Sequence, residues 1–156
     1  MKILIDSREK EKLDIRVGAN IDFVEVKKLA FGDYACEIEG KIVPIFFERK
    51  SIGDLWGTFT QGIDRFKNEL ELARESKVTI YLAIEPSMQE VYAGYEHSGV
   101  FGSQIIRSIF TFKVKYGLEP IFCGNRDTMK YHIYETFDAV RRNFDKNGKE
   151  YAEWTE

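Results

Sequence analysis

Residues 45–54 read IFFERKSIGD: an apolar run ends in charged side chains, and a helical pattern starts directly after it. If the run is a buried strand, its side chains alternate between the two faces of a sheet. Glu48 and Lys50 are then predicted to share one face, with Arg49 on the other. The stretch therefore places a carboxylate and an ammonium group together at the end of a core strand. Glu-x-Lys alone is weak evidence, because it occurs by chance on many solvated strand ends.

The composition indicates one folded domain without a strong charge bias. The chain has 156 residues, of which 44% are hydrophobic and 14% aromatic. This is enough for a sizeable core and short for two domains. The formal net charge of −3 argues against a general nucleic-acid coat protein. Any polyanionic partner must therefore be met by a local basic patch or by metal ions.

Two further features bear on the cellular compartment. Cys36 and Cys123 are far apart in the sequence and are predicted to be free thiols in a reducing environment. No apolar stretch reaches membrane-spanning length, and the acidic Asp6 comes too early for a signal peptide. We therefore expect an intracellular protein, in the cytoplasm of a microbe or a virus-infected cell or in a nucleus, without a membrane partner.

Alternating strand and helix patterns predict an α/β fold with a mixed central β-sheet flanked by helices. A hairpin is expected between residues 34–39 and 42–47, with a bulge or a locally unpaired position at Pro44. One amphipathic helix over residues 51–76, capped by Ser51 and kinked at its glycines, should follow. Other strands are expected at 3–5, 21–29, 78–84 and 120–123, a loop at 87–102, and helices at 103–116 and from about 125 to 144. Together these elements form a single domain over residues 1–145, with a short C-terminal tail at 146–156.

Three carboxylates are expected to meet at one end of this sheet. Asp33 follows a turn glycine at the entry to the hairpin, Glu48 ends the next strand, and Asp54 opens the helix after it. Carboxylate oxygens suit Mg²⁺ or Mn²⁺, and one or two suffice when phosphate and waters complete the coordination shell. Such an ion would lower the pKa of a bound water and neutralise charge on a phosphate. Lys50 would then orient the nucleophile or stabilise the transition state.

The order and spacing of these residues resemble the nuclease domain of the ERCC4-type endonucleases, the group that includes XPF, Mus81 and Hef. The hallmark of that family is Gly-Asp followed by Glu-Arg-Lys-x-x-x-Asp, matched here by Gly32-Asp33 and by Glu48 to Asp54. The opening DSRE at residues 6–9 looks like the first motif of the family, and Glu85 like the end of its next strand. The resemblance runs from Ile3 to about Phe137 and implies a restriction-endonuclease-like core.

The resemblance also implies a role for each residue at the end of the predicted hairpin. Asp33, Glu48 and Lys50 would be catalytic, in a site that uses Mg²⁺ or Mn²⁺ as its cofactor. Asp33, Glu48 and the backbone carbonyl of Arg49 would be the metal ligands.

The remaining candidates would surround that centre. Supporting carboxylates would come from Asp6, Asp54 and Glu85. The residues that bind substrate phosphates, or that make hydrogen bonds around the site, would be Arg49, Gln61 and Arg65. Each residue also has a simpler explanation, since Gly-Asp is common turn chemistry and acids are favoured at helix starts. The combination in family order is what favours a nuclease.

The implied activity is metal-dependent hydrolysis of DNA phosphodiesters at branched, flap or fork structures. A non-catalytic junction-binding or scaffold subunit with the same fold is an alternative, and a nuclease for RNA or simple single strands is a third. Larger family members continue into tandem helix-hairpin-helix modules, for which too little chain follows Phe137. We therefore expect weak, salt-dependent DNA binding and a homodimer or heterodimer.

Overall fold

The computed structural model describes residues 1–147, and the side chains of residues 1–143. Within this part of the chain the strands are β1 (Lys2–Asp6), β2 (Phe23–Lys27), β3 (Tyr34–Ile38), β4 (Lys41–Ile42), β5 (Ile45–Lys50), β6 (Thr79–Ile84) and β7 (Glu119–Phe122). The helices are α1 (Ile52–Phe59), α2 (Ile63–Glu75), α3 (Met88–Ala93), α4 (Gly102–Tyr116) and α5 (Arg126–Asn147). Apart from residues 146 and 147, the predicted C-terminal tail lies outside the described residues.

All seven strands belong to one mixed sheet with the order β2-β1-β3-β5-β6-β7, and β4 pairs with β3. Strand β3 runs antiparallel to both β1 and β5, whereas β5, β6 and β7 are parallel to one another. The predicted α/β fold with a mixed central sheet is therefore confirmed.

Strand β5 lies between two apolar layers. Phe46 packs into the layer formed with α1, α2 and α4, which includes Leu55, Phe66 and Ile109. Phe47 packs into the opposite layer, which includes Met129 and Phe137 of α5. Adjacent residues of one strand thus enter different cores, as the two-residue period of a strand requires.

The observed elements differ from the predicted ones at Pro44, at residues 60–62 and in the segment 87–102. Pro44 interrupts the predicted strand 42–47, because it lacks the N–H that a ladder needs, so β4 and β5 are separate strands. The single helix predicted over 51–76 is two helices with a turn at residues 60–62. In that turn the Gly62 N–H donates to the Gly57 carbonyl at 2.8 Å.

Helix α3 forms inside the segment predicted to be a loop. Ser87 and Glu90 make a reciprocal capping box at its start, a Ser-x-x-Glu pattern that the sequence contains. Ser51 caps α1 as expected, since its hydroxyl accepts the Asp54 N–H at 3.2 Å. Across residues 1–147, none of the helices has both the length and the apolar composition needed to cross a membrane.

Gly32 lies in the turn before β3, where its backbone is left-handed with φ +59°, and an added Cβ would lie 2.7 Å from the Phe47 carbonyl oxygen. Gly40 is also left-handed, with φ +78°, but nothing lies within 4 Å of its added Cβ. Gly40→Ala should therefore lower the free energy of unfolding by about 1–2 kcal/mol, which is the cost of the backbone conformation alone. Gly32→Ala should lower the free energy of unfolding by roughly 1–3 kcal/mol more, because the backbone at Phe47 must move to make room for the added Cβ. Urea unfolding of both variants measures the difference, and equal losses would show that the turn relaxes freely.

Candidate functional site

The end of β5 brings Glu48 and Lys50 together on one face of the sheet, as the alternation predicts. The Lys50 ammonium lies 3.0 Å from a Glu48 carboxylate oxygen, and the two side chains are only 16% and 15% exposed. The same ammonium lies 6.0 Å from the centre of the Phe66 ring on α2. Both charges are thus held in place at the floor of a cleft rather than in open solvent.

Asp33 is attached to the same place through main-chain contacts. Its carboxylate accepts the Arg49 N–H at 2.8 Å, so it lies beside the peptide that joins Glu48 to Arg49. Its own N–H donates to the Phe47 carbonyl at 2.7 Å. The structure therefore places the Asp33 and Glu48 carboxylates in one groove, although 15 residues separate them in sequence.

The environment of Asp33 favours its protonated form. Burial raises the pKa of Asp33 to about 7, and the negative charge of Glu48 acts in the same direction. The hydrogen bond from the Arg49 N–H and the charge of Lys50 oppose this rise in pKa. Two carboxylates that repel each other in a half-buried groove can be relieved by a divalent cation.

The donor chemistry of this pair fits a hard divalent cation. Asp33 and Glu48 offer carboxylate oxygens, which Mg²⁺ and Mn²⁺ prefer. No set of three or more His, Cys, Asp or Glu side chains within the described residues is arranged to hold an ion. Mg²⁺ sites commonly use only one or two carboxylates, with water and substrate phosphate as the other ligands.

Glu69 of α2 lies at the same place and was not predicted from the sequence. Burial raises the pKa of the Glu69 carboxyl, the charge of Glu48 adds to this effect, and Lys50 and the Gly32 N–H lower it. Glu69 follows Arg65 by four residues, so both project from one face of the helix. This spacing is the sequence feature that could have identified Glu69.

Two grooves meet at Glu48, Arg65 and Glu69. The first, here called the glycine groove, has a volume of about 310 Å³ and is otherwise lined mainly by Lys50, Gly53, Asp54, Gly57, Thr58 and Gly62. The second, called the Leu72 groove, has a volume of about 600 Å³ and is otherwise lined mainly by Arg8, Ala30, Phe31, Asp33, Asn68 and Leu72. Asp54 and Arg65 therefore border the site as expected, whereas Gln61 is exposed in the turn between α1 and α2 and lines neither groove.

The Arg49 side chain points to the other face of the sheet and is only 4% exposed. Its guanidinium donates to the two Glu9 carboxylate oxygens at 3.0 and 3.1 Å and to Glu85 at 3.3 Å. Arg126 at the start of α5 also lies 3.8 Å from Glu85. The structure thus does not bring the Arg49 side chain or Glu85 to either groove. Glu9, which the sequence places only within a motif, is the principal partner of Arg49.

Asp6 lines the Leu72 groove and is almost completely buried. Its carboxylate accepts the Arg8 Nε–H at 2.8 Å and the Leu29 N–H at 2.7 Å. The hydrogen bond from the Arg8 side chain, with those from backbone groups, lowers the pKa of Asp6 to about 2 against the opposing effect of burial. Asp6 therefore stays ionised and holds Arg8 next to the segment that leads to Gly32.

This architecture has counterparts among solved structures. The chain aligns with XPF from Aeropyrum pernix with a TM-score of 0.66 and 15% identity, over 96% of this chain and 69% of that one. It aligns with XPF from Aeropyrum pernix in complex with DNA with a TM-score of 0.60 and 14% identity, over 91% of this chain and 66% of that one. The sequence matches no family model and no curated protein. The fold expected from the resemblance to ERCC4-type nuclease domains is confirmed, and identities this low show the fold alone.

The raised pKa of Asp33 predicts a pH-dependent stability. Between about pH 4 and pH 7 the folded state holds a proton on Asp33 that the unfolded state has lost, so this residue makes stability fall as pH rises through that window. Asp33→Asn mimics the protonated form, so its free energy of unfolding should not fall in this way. Its stability relative to the wild type should therefore rise by about 2 kcal/mol between pH 4 and pH 8, roughly half of the full linkage value. Urea unfolding at several pH values measures this gain.

Asp6→Asn is the control of opposite sign for that experiment. Since the pKa of Asp6 is lowered to about 2, the ionised carboxylate stabilises the fold above about pH 4, and this contribution fades as pH falls toward 2. Asp6→Asn should therefore be destabilised at neutral pH and less so in acid. A stability difference between Asp33→Asn and wild type that does not change with pH would contradict the assigned environment of Asp33.

The buried Arg49–Glu9 pair predicts a partial rescue. Arg49→Met leaves the Glu9 carboxylate buried without its main partner and should cost about 3–5 kcal/mol. Adding Glu9→Gln to Arg49→Met removes that uncompensated charge and should recover part of the loss. Thermal and urea unfolding of the two single variants and the double variant measure the coupling. A double variant no more stable than Arg49→Met would mean that the pair is not energetically linked.

Proposed function

We propose that this protein is a Mg²⁺- or Mn²⁺-dependent endonuclease that hydrolyses phosphodiester bonds in branched, flap or fork DNA. The observation that carries the proposal is that Glu48 shares one groove with Asp33 and the adjoining groove with Lys50. The fold they occupy is shared with an XPF protein that has been solved in complex with DNA. The motif order in the sequence points to the same chemistry.

On this proposal Asp33 and Glu48 hold the cation, with the Arg49 backbone carbonyl as a further oxygen donor. The cation supplies charge neutralisation at the scissile phosphate and a lowered pKa for a water molecule. Lys50 contributes a fixed positive charge 3.0 Å from Glu48, where it stabilises negative charge that develops on the phosphate. Because burial raises the pKa of Asp33, cation binding should release a proton near neutral pH.

The grooves supply the path for the nucleic acid. Arg65 is exposed at their junction and is suited to a phosphate contact. The glycine groove is lined by Lys50 as well as by acidic side chains, so a phosphate would enter it beside Lys50 and a bound cation. With a net charge of −3, one chain has little general attraction for DNA, so binding should be salt-sensitive. A homodimer or heterodimer that adds phosphate contacts is part of the proposal.

Removing either central charge tests the activity. Glu48→Ala and Lys50→Ala should each lower kcat at least about 100-fold, since each removes charge stabilisation from the reaction centre. Glu71→Ala, an exposed carboxylate on the same helix as Glu69, is the matched control and should cleave like the wild type. Digestion of flap, fork, four-way junction, single-stranded and RNA substrates in Mg²⁺ and Mn²⁺ gives the rates, with circular dichroism to confirm folding.

The substrate panel also separates the alternative functions. Undiminished cleavage by both the Glu48 and Lys50 variants would remove the assignment of the site. Binding of branched DNA by the wild type without nicking in either metal would favour a junction-binding subunit. Cleavage of RNA alone would favour an RNA nuclease.

A further inference from the structure

The Leu72 groove has a large exposed apolar side chain beside Asp33 and Glu48. Leu72 lies on α2 and is 55% exposed. It follows Asn68 by four residues, so both side chains project from one face of the helix toward the groove. Ala30, also exposed, lines the same groove. A large exposed apolar side chain therefore lies in a cleft that also holds charged side chains.

Arg8 adds a planar cation whose orientation is fixed. Its Nε–H and one Nη2–H donate to the Asp6 carboxylate at 2.8 and 2.9 Å, and Nη2 also donates to the Leu29 carbonyl at 3.1 Å. The side chain nevertheless remains 62% exposed. A guanidinium that is held along one edge and open on its face is prepared for stacking with little loss of side-chain entropy.

The charge of the groove selects what can enter it. Four carboxylates and two arginines line it, so a bare phosphate is disfavoured there except through a bound cation. A neutral heteroaromatic ring meets no such repulsion and can contact Leu72 and the Arg8 face together. The Asn68 amide can donate and accept hydrogen bonds at the ring edge. The volume of about 600 Å³ is ample for one base.

We propose that the Leu72 groove binds the base of an unpaired nucleotide in the strand being cleaved, next to the scissile phosphate, stacked on Arg8 and packed against Leu72. A base in a continuous duplex is held in its own stack and cannot enter. The groove would thus select substrates in which the cleaved strand is unpaired at that position. This inference rests on the proposed nuclease function and names the feature of branched DNA that the site reads.

An abasic scan tests the assignment. Flap substrates are prepared in which one nucleotide at a time around the cleavage position is replaced by an abasic residue. Wild-type kcat/KM should fall about tenfold at one or two unpaired positions, since stacking of a single base contributes on this scale. Leu72→Ser should lower kcat/KM for the unmodified substrate by a similar factor and should no longer respond to the abasic residue at those positions.

Val114→Ser is the matched control, because Val114 is 86% exposed on α4 and lines neither groove. It should keep the wild-type abasic profile. A flat profile for the wild type, or a full abasic penalty in Leu72→Ser, would overturn the base subsite while leaving the nuclease assignment intact. If no substrate is cleaved, the nuclease proposal fails, and anisotropy binding of the same substrates in Ca²⁺ decides the subsite. If the abasic residue weakens binding by the wild type but not by Leu72→Ser, the base subsite is supported. If it weakens binding by both proteins equally, the base subsite is overturned.

Discussion

The hydrogen bond from the Arg49 N–H to the Asp33 carboxylate is the contact on which the arrangement of the site depends. It joins the turn before β3 to the end of β5 at 2.8 Å. Arg49 lies between Glu48 and Lys50, whose side chains face the candidate site. On the other face, Glu9 and Glu85 hold the guanidinium of the same residue. Arg49 is therefore fixed from both sides of the sheet, and Glu48 and Lys50 are fixed with it.

The sequence was sufficient for features that depend on local periodicity. The two-residue period of a strand places Glu48 and Lys50 together, and the motif order indicates the fold. It was insufficient where a contact joins distant segments. Alternation places Arg49 on the face opposite Glu48, but Glu9 and Glu85 lie 40 and 36 residues from Arg49, so nothing local shows that its guanidinium is buried there in ion pairs. Glu69 was overlooked for a related reason, because an acid on an amphipathic helix ordinarily faces solvent.

The break between α1 and α2 shows a further limit of periodicity. The apolar spacing continues through residues 60–62, so periodicity predicts one helix there with a kink at its glycines. In the structure the chain instead makes a turn, in which the Gly62 N–H donates to the Gly57 carbonyl. Residues at this break, Gly57, Thr58 and Gly62, line the glycine groove next to Lys50. On the proposed function, a chain with a net charge of −3 relies on a bound cation for much of the attraction that a basic surface supplies elsewhere.

The position of Phe46 and Phe47 in two different apolar layers constrains how the protein can move. A strand clamped between both cores cannot shift without disturbing the packing of the entire domain. The end of β5, with Glu48 and Lys50, is therefore held in place by packing on both faces of the sheet. On the proposed function, any movement that admits a nucleic acid would come from less buried segments, such as the turn at residues 60–62 or the exposed position of Ala30.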